Sequence, residues 1–266
     1  MPTTVGLPLT IVDAFTDAPF GGNPAGVCRL DRWPADDWLQ QVAAEVNLAE
    51  TAFVVAREQP DHFDLRWFTP TVEVDLCGHA TLATAHVLDL PGQVTFHTRS
   101  GELRCATRDG AVEMDFPAIA STPVALDPRL VEALGAQVRS TALGSFLLAE
   151  VADASTVREL RPDLAGMRAV HTHGVIVTAG ADPADAVDIV SRVFAPNMGI
   201  DEDSVTGSAH CQLGPWWAQR LGRDTLVAEQ ASARRGRLTV RLAGDRVVLT
   251  GTAVTVIEGR LLATAG

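Results

Sequence analysis

Two short segments, one in each half of the chain, place a glycine among small and polar residues where a helical pattern begins. They are residues 75–81 (DLCGHAT) and residues 203–209 (DSVTGSA). Apolar residues then recur with the spacing of an amphipathic helix. Free backbone N–H groups and the positive end of the helix dipole favour an anion at such a start. We therefore expect the helix starts at Gly78 and Gly207 to bind a substrate carboxylate.

The composition excludes several kinds of chemistry. All 21 basic residues are arginine, and the chain has neither lysine nor tyrosine. Without lysine, neither a Schiff base to pyridoxal phosphate nor a Walker A phosphate loop can form. The net charge of −12 argues against nucleic acid and an anionic membrane surface as partners. We therefore expect no nucleic-acid or membrane partner, and a small anionic carboxylate substrate requires a locally positive field at its binding site.

The cysteines and histidines suggest neither a disulfide framework nor a metal site. The four cysteines are widely spaced, without a Cys-x-x-Cys pair. His171 and His173 share one face of a strand pattern, but no third ligand is spaced nearby, so we expect no metal. No apolar run approaches the roughly 20 residues that cross a bilayer, and the start lacks signal-peptide features. We expect a cytoplasmic protein.

The elements that would position the glycine-led segments repeat along the chain. Strand patterns at 9–15 and 25–30 flank a turn rich in glycine and proline, and a helical pattern covers 34–46. Short strand patterns follow each glycine-led helix, and the two glycines are 129 residues apart. Residues 117–128 contain three prolines and are interpreted as a linker.

These patterns predict an α+β fold with an internal repeat. We expect two similar halves, each with several antiparallel strands around one central helix. The predicted boundaries are 1–120 for the N-terminal lobe and 121–254 for the C-terminal lobe, with 255–266 returning to the first lobe as an alternative.

Short motifs in a fixed order extend over nearly the whole chain. They are Asp13-Ala-Phe-Thr with Gly22-Asn-Pro-Ala25, Asn47-Leu-Ala-Glu-Thr-Ala-Phe53, Arg66-Trp-Phe-Thr-Pro70, Cys77-Gly-His-Ala-Thr81, Glu202-Asp203 with Thr206-Gly-Ser-Ala209, and Arg235-Gly-Arg237. In this order and spacing they resemble the phenazine-biosynthesis isomerase (PhzF-like) family, whose fold is similar to that of diaminopimelate epimerase. The resemblance implies a biosynthetic enzyme, usually a homodimer, with a cleft between two lobes. Each lobe would be a curved, mostly antiparallel sheet or open barrel around a central helix.

The resemblance also implies roles for individual residues. Glu50 matches the acid/base that transfers the proton, although such a residue alone could be an ordinary solvated carboxylate. Asp203 matches the family's acidic position and would share or relay the proton, or would simply cap the helix. His79 matches the residue that would donate to the substrate or relay a proton. Ser204 departs from the family's common Glu-Asp-Pro pattern, which puts the placement of Asp203 in doubt.

The remaining candidates concern substrate binding. Ser208 would bind the substrate or cap its helix, and Asn23 would serve a turn or contact the substrate. Cys77 falls where the epimerase relatives carry one of two opposed thiols. The corresponding position holds Thr206, whose hydroxyl is too weak an acid to be the second base. A paired-thiol mechanism is therefore disfavoured, and an inert, buried Cys77 is the favoured interpretation.

We hypothesise a cofactor-independent isomerase that moves a proton within a small carboxylic acid. Glu50 would transfer the proton, with Asp203 and His79 holding or polarising the substrate. Gly78, Gly207 and Ser208 would bind its carboxylate. The alternatives are an amino-acid epimerase or racemase, and a catalytically silent protein that binds small molecules.

Overall fold

The computed structural model describes residues 6–170 and 172–263. They divide into two compact units. The first contains the described residues up to Asp115 and from Thr250 onward, and the second is Phe116–Leu249. The sequence prediction sets these boundaries at 120 and 254. Within the described residues, no helix is both long and apolar enough to span a membrane.

The first unit is a sheet with two helices. Its elements are β1 (Leu7–Ala14), β2 (Asn23–Leu30), α1 (Asp36–Val46), β3 (Glu50–Ala56), β4 (His62–Phe68), β5 (Glu73–Val74), α2 (Gly78–Leu88), β6 (Gly92–Thr98), β7 (Gly101–Arg108) and β8 (Ala111–Pro117). The last strand of the chain, β17 (Arg246–Leu261), begins in the second unit and ends in the first.

Antiparallel pairing dominates this sheet. β17 pairs with β1, β1 with β2, β3 with β4, β6 with β7 and β7 with β8, all antiparallel. The two parallel pairs, β2 with β3 and β4 with β6, need a crossover, and α1 and α2 provide it. β17 also pairs with β8, which closes these strands into a barrel. The predicted hairpin of β1 and β2 is confirmed.

Helix α2 is the central helix of the first unit. Its buried residues, which include Leu82, Thr84 and Ala85, lie on all sides of the helix. A helix that is apolar all round is stable only when it is enclosed, and α2 packs against β1, β2, β3 and β7. The prediction of a sheet around a central helix is therefore confirmed for this unit.

The second unit repeats the same style. Its elements are β9 (Thr122–Pro123), α3 (Pro128–Leu134), β10 (Val138–Leu143), β11 (Leu147–Val151), α4 (Ala154–Glu159), α5 (Leu164–Arg168), β12 (Val175–Gly180), β13 (Ile189–Ala195), a short 3-10 helix (Pro196–Met198), β14 (Ile200–Asp203), α6 (Gly207–Leu221), β15 (Thr225–Gln230) and β16 (Gly236–Ala243). An apolar core joins α3, α4 and α5 to β11, β12 and β13.

The two units share one order of elements and one pairing pattern. In the first, β1–β2 is an antiparallel hairpin, β2–β3 and β4–β6 are parallel, and α2 follows the short β5. In the second, β10–β11 is the antiparallel hairpin, β11–β12 and β13–β15 are parallel, and α6 follows the short β14. The α+β fold of two similar halves, predicted from the repeated glycine-led helices, is confirmed.

Several local predictions need correction. Among the short strand patterns predicted after the second glycine-led helix were two separate ones, at 247–250 and 253–257. They belong to one continuous strand, β17, because the chain passes Gly251 and Thr252 without a turn. The linker prediction for residues 117–128 missed β9, which pairs with β10. The sequence analysis also missed β10 and the short helices α3, α4 and α5.

Candidate functional site

Glu50 is placed by the end of α1 and the start of β3. α1 ends at Asn47, which has a left-handed backbone (φ 51°) and turns the chain. Glu50 is then the first residue of β3 and lies opposite Ala25 of β2 in the parallel register. Its side chain is only 14% exposed. The interpretation of Glu50 as an ordinary solvated carboxylate does not fit this burial.

The start of α2 carries Cys77, Gly78 and His79. Cys77 is the N-cap residue with extended backbone, and among the described residues no side chain caps this helix end. Thr81 donates its hydroxyl to the carbonyl of Cys77 at 2.6 Å, which fixes the first turn. The helix begins at Gly78, so His79 is its second residue.

Three side chains of the first unit meet around the His79 ring. Nε2 lies 3.2 Å from Oε2 of Glu50, and Nδ1 lies 3.2 Å from the amide nitrogen of Asn23. Sγ of Cys77 is 3.5 Å from the same Nδ1. His79, Asn23 and Cys77 are almost completely buried. The structure thus brings together the predicted residues Glu50, His79, Asn23 and Cys77.

The His79 ring is neutral near physiological pH. Burial lowers its pKa from 6.5 to about 3, because the charged imidazolium loses its hydration. The Asn23 amide nitrogen can only donate, so in this amide orientation Nδ1 accepts and Nε2 carries the hydrogen. The Nε2 contact with Glu50 is close but lacks hydrogen-bond geometry. Because the ring is neutral, this contact between the His79 ring and the Glu50 carboxyl group is not an ion pair.

Asn23 is held by a tight turn before β2. Gly22 has φ +60°, and a Cβ there would lie 2.0 Å from the carbonyl oxygen of Ala14. Only glycine fits this close approach. The side chain of Asp13 accepts a bond from the N–H of Phe20 at 2.7 Å and steadies the same turn. The Gly22-Asn-Pro motif is thus both turn chemistry and the means of bringing Asn23 to His79.

Asp203 of the second unit ends β14, and Gln230 holds the loop that follows it. Thr206 donates its hydroxyl to Oδ2 of Asp203 at 2.6 Å. Gln230, fully buried, accepts from the N–H of Thr206 at 2.8 Å and donates to the carbonyl of Asp203 at 2.8 Å. Asp203 is therefore fixed through its backbone and its side chain.

Ser204 stands where the family pattern has proline, but hydrogen bonds restrain the backbone of this loop. The carbonyl of Ser204 accepts the hydroxyl of Ser232 at 2.8 Å, and Ser232 is itself buried. The sequence-based doubt about the placement of Asp203 is answered by these hydrogen bonds, which restrict the backbone where proline is absent.

The start of α6 matches the start of α2. Thr206 is the N-cap with extended backbone, and its side chain makes no capping hydrogen bond; the capping roles considered for Asp203 and Ser208 stay predictions. His210 donates from Nδ1 to the carbonyl of Thr206 at 2.8 Å, as Thr81 does to Cys77. Gly207 is the first residue of α6, and the half-buried Ser208 the second.

An arginine holds the short strand before each of these helices. In the first unit, Arg66 donates from Nε and Nη2 to Glu73 at 2.7 and 2.8 Å. In the second, Arg192 donates in the same two-pronged way to Glu202 at 2.7 and 2.9 Å. Two parallel hydrogen bonds of this kind fix the orientation of the glutamate side chain and also pair its negative charge with the arginine. Glu202 of the Glu-Asp motif is thus structurally paired, whereas Asp203 carries the candidate chemistry.

The structure shows one candidate metal-binding cluster among the described residues. One ligand atom each from Glu50, Cys77 and His79 lies within 4.8 Å of the others. The sequence analysis expected no metal, because it found no third ligand near His171 and His173; the fold brings Glu50 to Cys77 and His79. Of its histidine pair, His171 lies outside the described residues.

In the second unit, the predicted residues Asp203, Thr206, Gly207 and Ser208 lie from the end of β14 to the start of α6. Sequence reasoning missed the residues that hold them: Gln230, Ser232 and His210. Each is distant in sequence or lies inside an ordinary helical pattern. Only the i+4 spacing of His210 from Thr206, repeated by Thr81 and Cys77, could have signalled a role.

Comparison with known proteins agrees with this architecture. A family model described as "Phenazine biosynthesis-like protein" (PhzC-PhzF) matches residues 12–259. Two uncharacterized isomerases of Pseudomonas aeruginosa are 49% and 50% identical, and each match covers 94% of this chain and 96% of the relative. A crystal structure of a PhzF-family protein from Enterococcus faecalis, 41% identical, superposes with a TM-score of 0.92 over 97% of this chain and 99% of that one. The chain belongs to the phenazine biosynthesis-like (PhzC/PhzF) family.

Proposed function

We propose that this protein is a cofactor-independent isomerase that moves a proton between two carbons of a small carboxylic acid. Glu50 is the acid and base of the reaction. The observation that carries the proposal is the contact of the mostly buried Glu50 carboxyl with the neutral ring of His79. The relatives named as isomerases support the reaction class.

The burial of Glu50 and the neutral donor beside it suit such a reaction. A carboxylate shielded from water can take a proton from an activated carbon and return it to another, because both steps use the same oxygen atoms. The neighbouring Nε2–H of His79 is a neutral donor, suited to stabilising negative charge that develops on the substrate. His79 therefore polarises the substrate, and Glu50 moves the proton.

The substrate carboxylate is assigned to the glycine-led helix starts. In the first unit the proposed donors are the N–H groups at Gly78, and in the second unit they are the N–H groups at Gly207 and the hydroxyl of Ser208. Asp203 is the second carboxylate of the reaction, held by Gln230 and Thr206. Asn23, Cys77 and Thr206 complete the proposed contacts with the substrate.

A paired-thiol epimerase has less support. Cys77 and Thr206 are the N-cap residues of α2 and α6. Where a paired-thiol enzyme would need its second thiol, this chain therefore has the hydroxyl of Thr206. The other cysteine of that region, Cys211, lies inside α6, and burial raises its pKa to about 12. A thiol with such a pKa does not act as a base near neutral pH.

The experiment is a survey of small cyclic and unsaturated carboxylic acids in heavy water, read by NMR and mass spectrometry. An isomerase introduces solvent deuterium at a carbon as the double bond moves. An epimerase introduces it at the α-carbon with loss of optical purity. The absence of exchange in every acid that binds would overturn the proposal in favour of a silent binding protein.

A further inference from the structure

Three side chains with metal-binding groups converge at the start of α2. The atoms of Glu50, Cys77 and His79 lie within 4.8 Å of one another. Carboxylate, thiolate and imidazole are the groups that bind Zn²⁺ in proteins. We propose that this cluster binds Zn²⁺, or a similar borderline-soft divalent cation, and that the ion inhibits the protein. The inhibition rests on the proposed function, because it requires Glu50 to be the acid/base; the binding does not.

The distances suit a tetrahedral ion. Zinc bonds of about 2.0–2.3 Å at tetrahedral angles place neighbouring ligand atoms about 3.3–3.6 Å apart. Oε2 of Glu50 is 3.2 Å from Nε2 of His79, and the ligand atoms of the three side chains lie within 4.8 Å of one another. Sγ of Cys77 is 3.5 Å from Nδ1 of the same ring, so binding of one ion at Nε2 requires the Cys77 side chain to rotate toward that nitrogen.

The nitrogen assigned to the ion is Nε2 of His79. This buried atom has no hydrogen-bond partner among the described residues, whereas Nδ1 contacts Asn23. A ligating histidine usually donates its other ring N–H to a neighbouring oxygen. With the ion on Nε2, the hydrogen moves to Nδ1, and the Asn23 amide turns to present its oxygen. Asn23 then orients the ligand.

The chemistry balances without a redox step. The Cys77 thiol releases its proton to solvent, and the sulfur, Nε2 and a Glu50 oxygen each donate an electron pair to the ion. Water completes a four-coordinate shell. Because Mg²⁺ and Ca²⁺ prefer oxygen ligands, a set with one sulfur and one nitrogen discriminates against them.

The chain supplies matched controls. Cys105 lies on β7 of the same unit and Cys28 on β2, and both are buried. Burial raises the pKa of each of these two thiols to about 12, which disfavours the thiolate that a metal needs. Neither belongs to the candidate metal cluster.

The test uses Co²⁺ added to protein that a chelator has freed of metal. We expect one Co²⁺ per chain and an absorption band from thiolate-to-cobalt charge transfer. Cys77→Ser should abolish the band, and Cys105→Ser should keep it. Asn23→Ala should weaken binding about 10- to 100-fold, as loss of an orienting partner does. Zn²⁺ should displace Co²⁺ and stop deuterium exchange over the same concentration range.

The absence of a charge-transfer band, or a band that survives in Cys77→Ser, would overturn the metal site. That result leaves the proposed isomerase intact if the metal-free protein still exchanges deuterium. Conversely, a band that depends on Cys77, in a protein that exchanges deuterium with no acid, supports the metal site and rejects the isomerase. Zinc binding without inhibition of exchange would overturn the inhibitory role.

Discussion

The side chain of Gln230 donates to the backbone carbonyl of Asp203 at 2.8 Å, although the two residues lie 27 positions apart. The same amide accepts from the N–H of Thr206, and its nitrogen is 3.2 Å from the Thr206 hydroxyl that reaches the Asp203 carboxylate. One buried glutamine therefore holds both ends of the loop between β14 and α6. We regard Gln230 as the positioning residue for Asp203.

Replacing Gln230 with alanine should loosen this loop. Asp203 loses a donor at its carbonyl, and the N–H of Thr206 is left buried without its acceptor, which costs on the order of 1–3 kcal/mol of unfolding free energy. Urea unfolding measures this loss. The exposed Gln41→Ala on α1 is the control and should change stability by less than about 0.5 kcal/mol.

Activity separates a positioning role from a merely structural one. With a substrate identified, Gln230→Ala should lower kcat more than it raises KM, at a temperature where the variant is fully folded. An unchanged kcat in the folded variant would contradict the positioning role.

The turn that places Asn23 depends on Gly22. In Gly22→Ala, the methyl group would meet the Ala14 carbonyl, in addition to the roughly 1–2 kcal/mol that a left-handed backbone costs a non-glycine residue. Gly110→Ala is the matched control, because Gly110 also has positive φ but open space around it. Thermal unfolding should show a clearly larger loss for Gly22→Ala, and equal losses would contradict the collision.

Two buried histidines should make stability depend on pH. Burial lowers the pKa of His79 to about 3 and that of His210 to about 4, both from 6.5. Below about pH 6.5 the unfolded chain binds these protons and the folded protein does not, so stability falls as pH falls from there toward 4. Each histidine contributes up to about 1.4 kcal/mol per pH unit.

Urea unfolding between about pH 7.5 and pH 5 measures this slope. His210→Asn keeps a donor for the Thr206 carbonyl and removes one titrating group, so its unfolding free energy should fall less steeply with acidification. His173→Gln, at an exposed position, should leave the slope unchanged. A slope in His210→Asn equal to that of the wild type would contradict the assignment.

The sequence predicted the parts of the fold that depend on local pattern. The strands β1, β2, β6, β7 and β8 are short apolar runs bounded by turn residues, and α2 and α6 follow glycine-led starts, so local sequence features indicate each of them. Short elements such as α4 and α5 carry too few residues for a period to be visible. The continuity of β17 through Gly251 was missed because glycine usually marks a turn.

The candidate site was predictable only in part for a related reason. Motifs identified Glu50, His79 and Asp203, but no local pattern reveals that Glu50 would contact His79, which is 29 residues away. Gln230 and Ser232 gave no signal, since their role comes from packing against a loop distant in sequence. The candidate metal-binding cluster was missed because Glu50 and Cys77 are brought together only by the fold.

The rate at which Glu50→Gln introduces solvent deuterium into a substrate acid tests the central claim most directly. The amide keeps the size of the side chain but cannot carry the proton, so exchange should fall at least about 100-fold while the dissociation constant of the acid changes little. Glu45→Gln, on the exposed face of α1, should exchange at the wild-type rate. Wild-type exchange in Glu50→Gln would contradict the assignment of Glu50 as the acid/base.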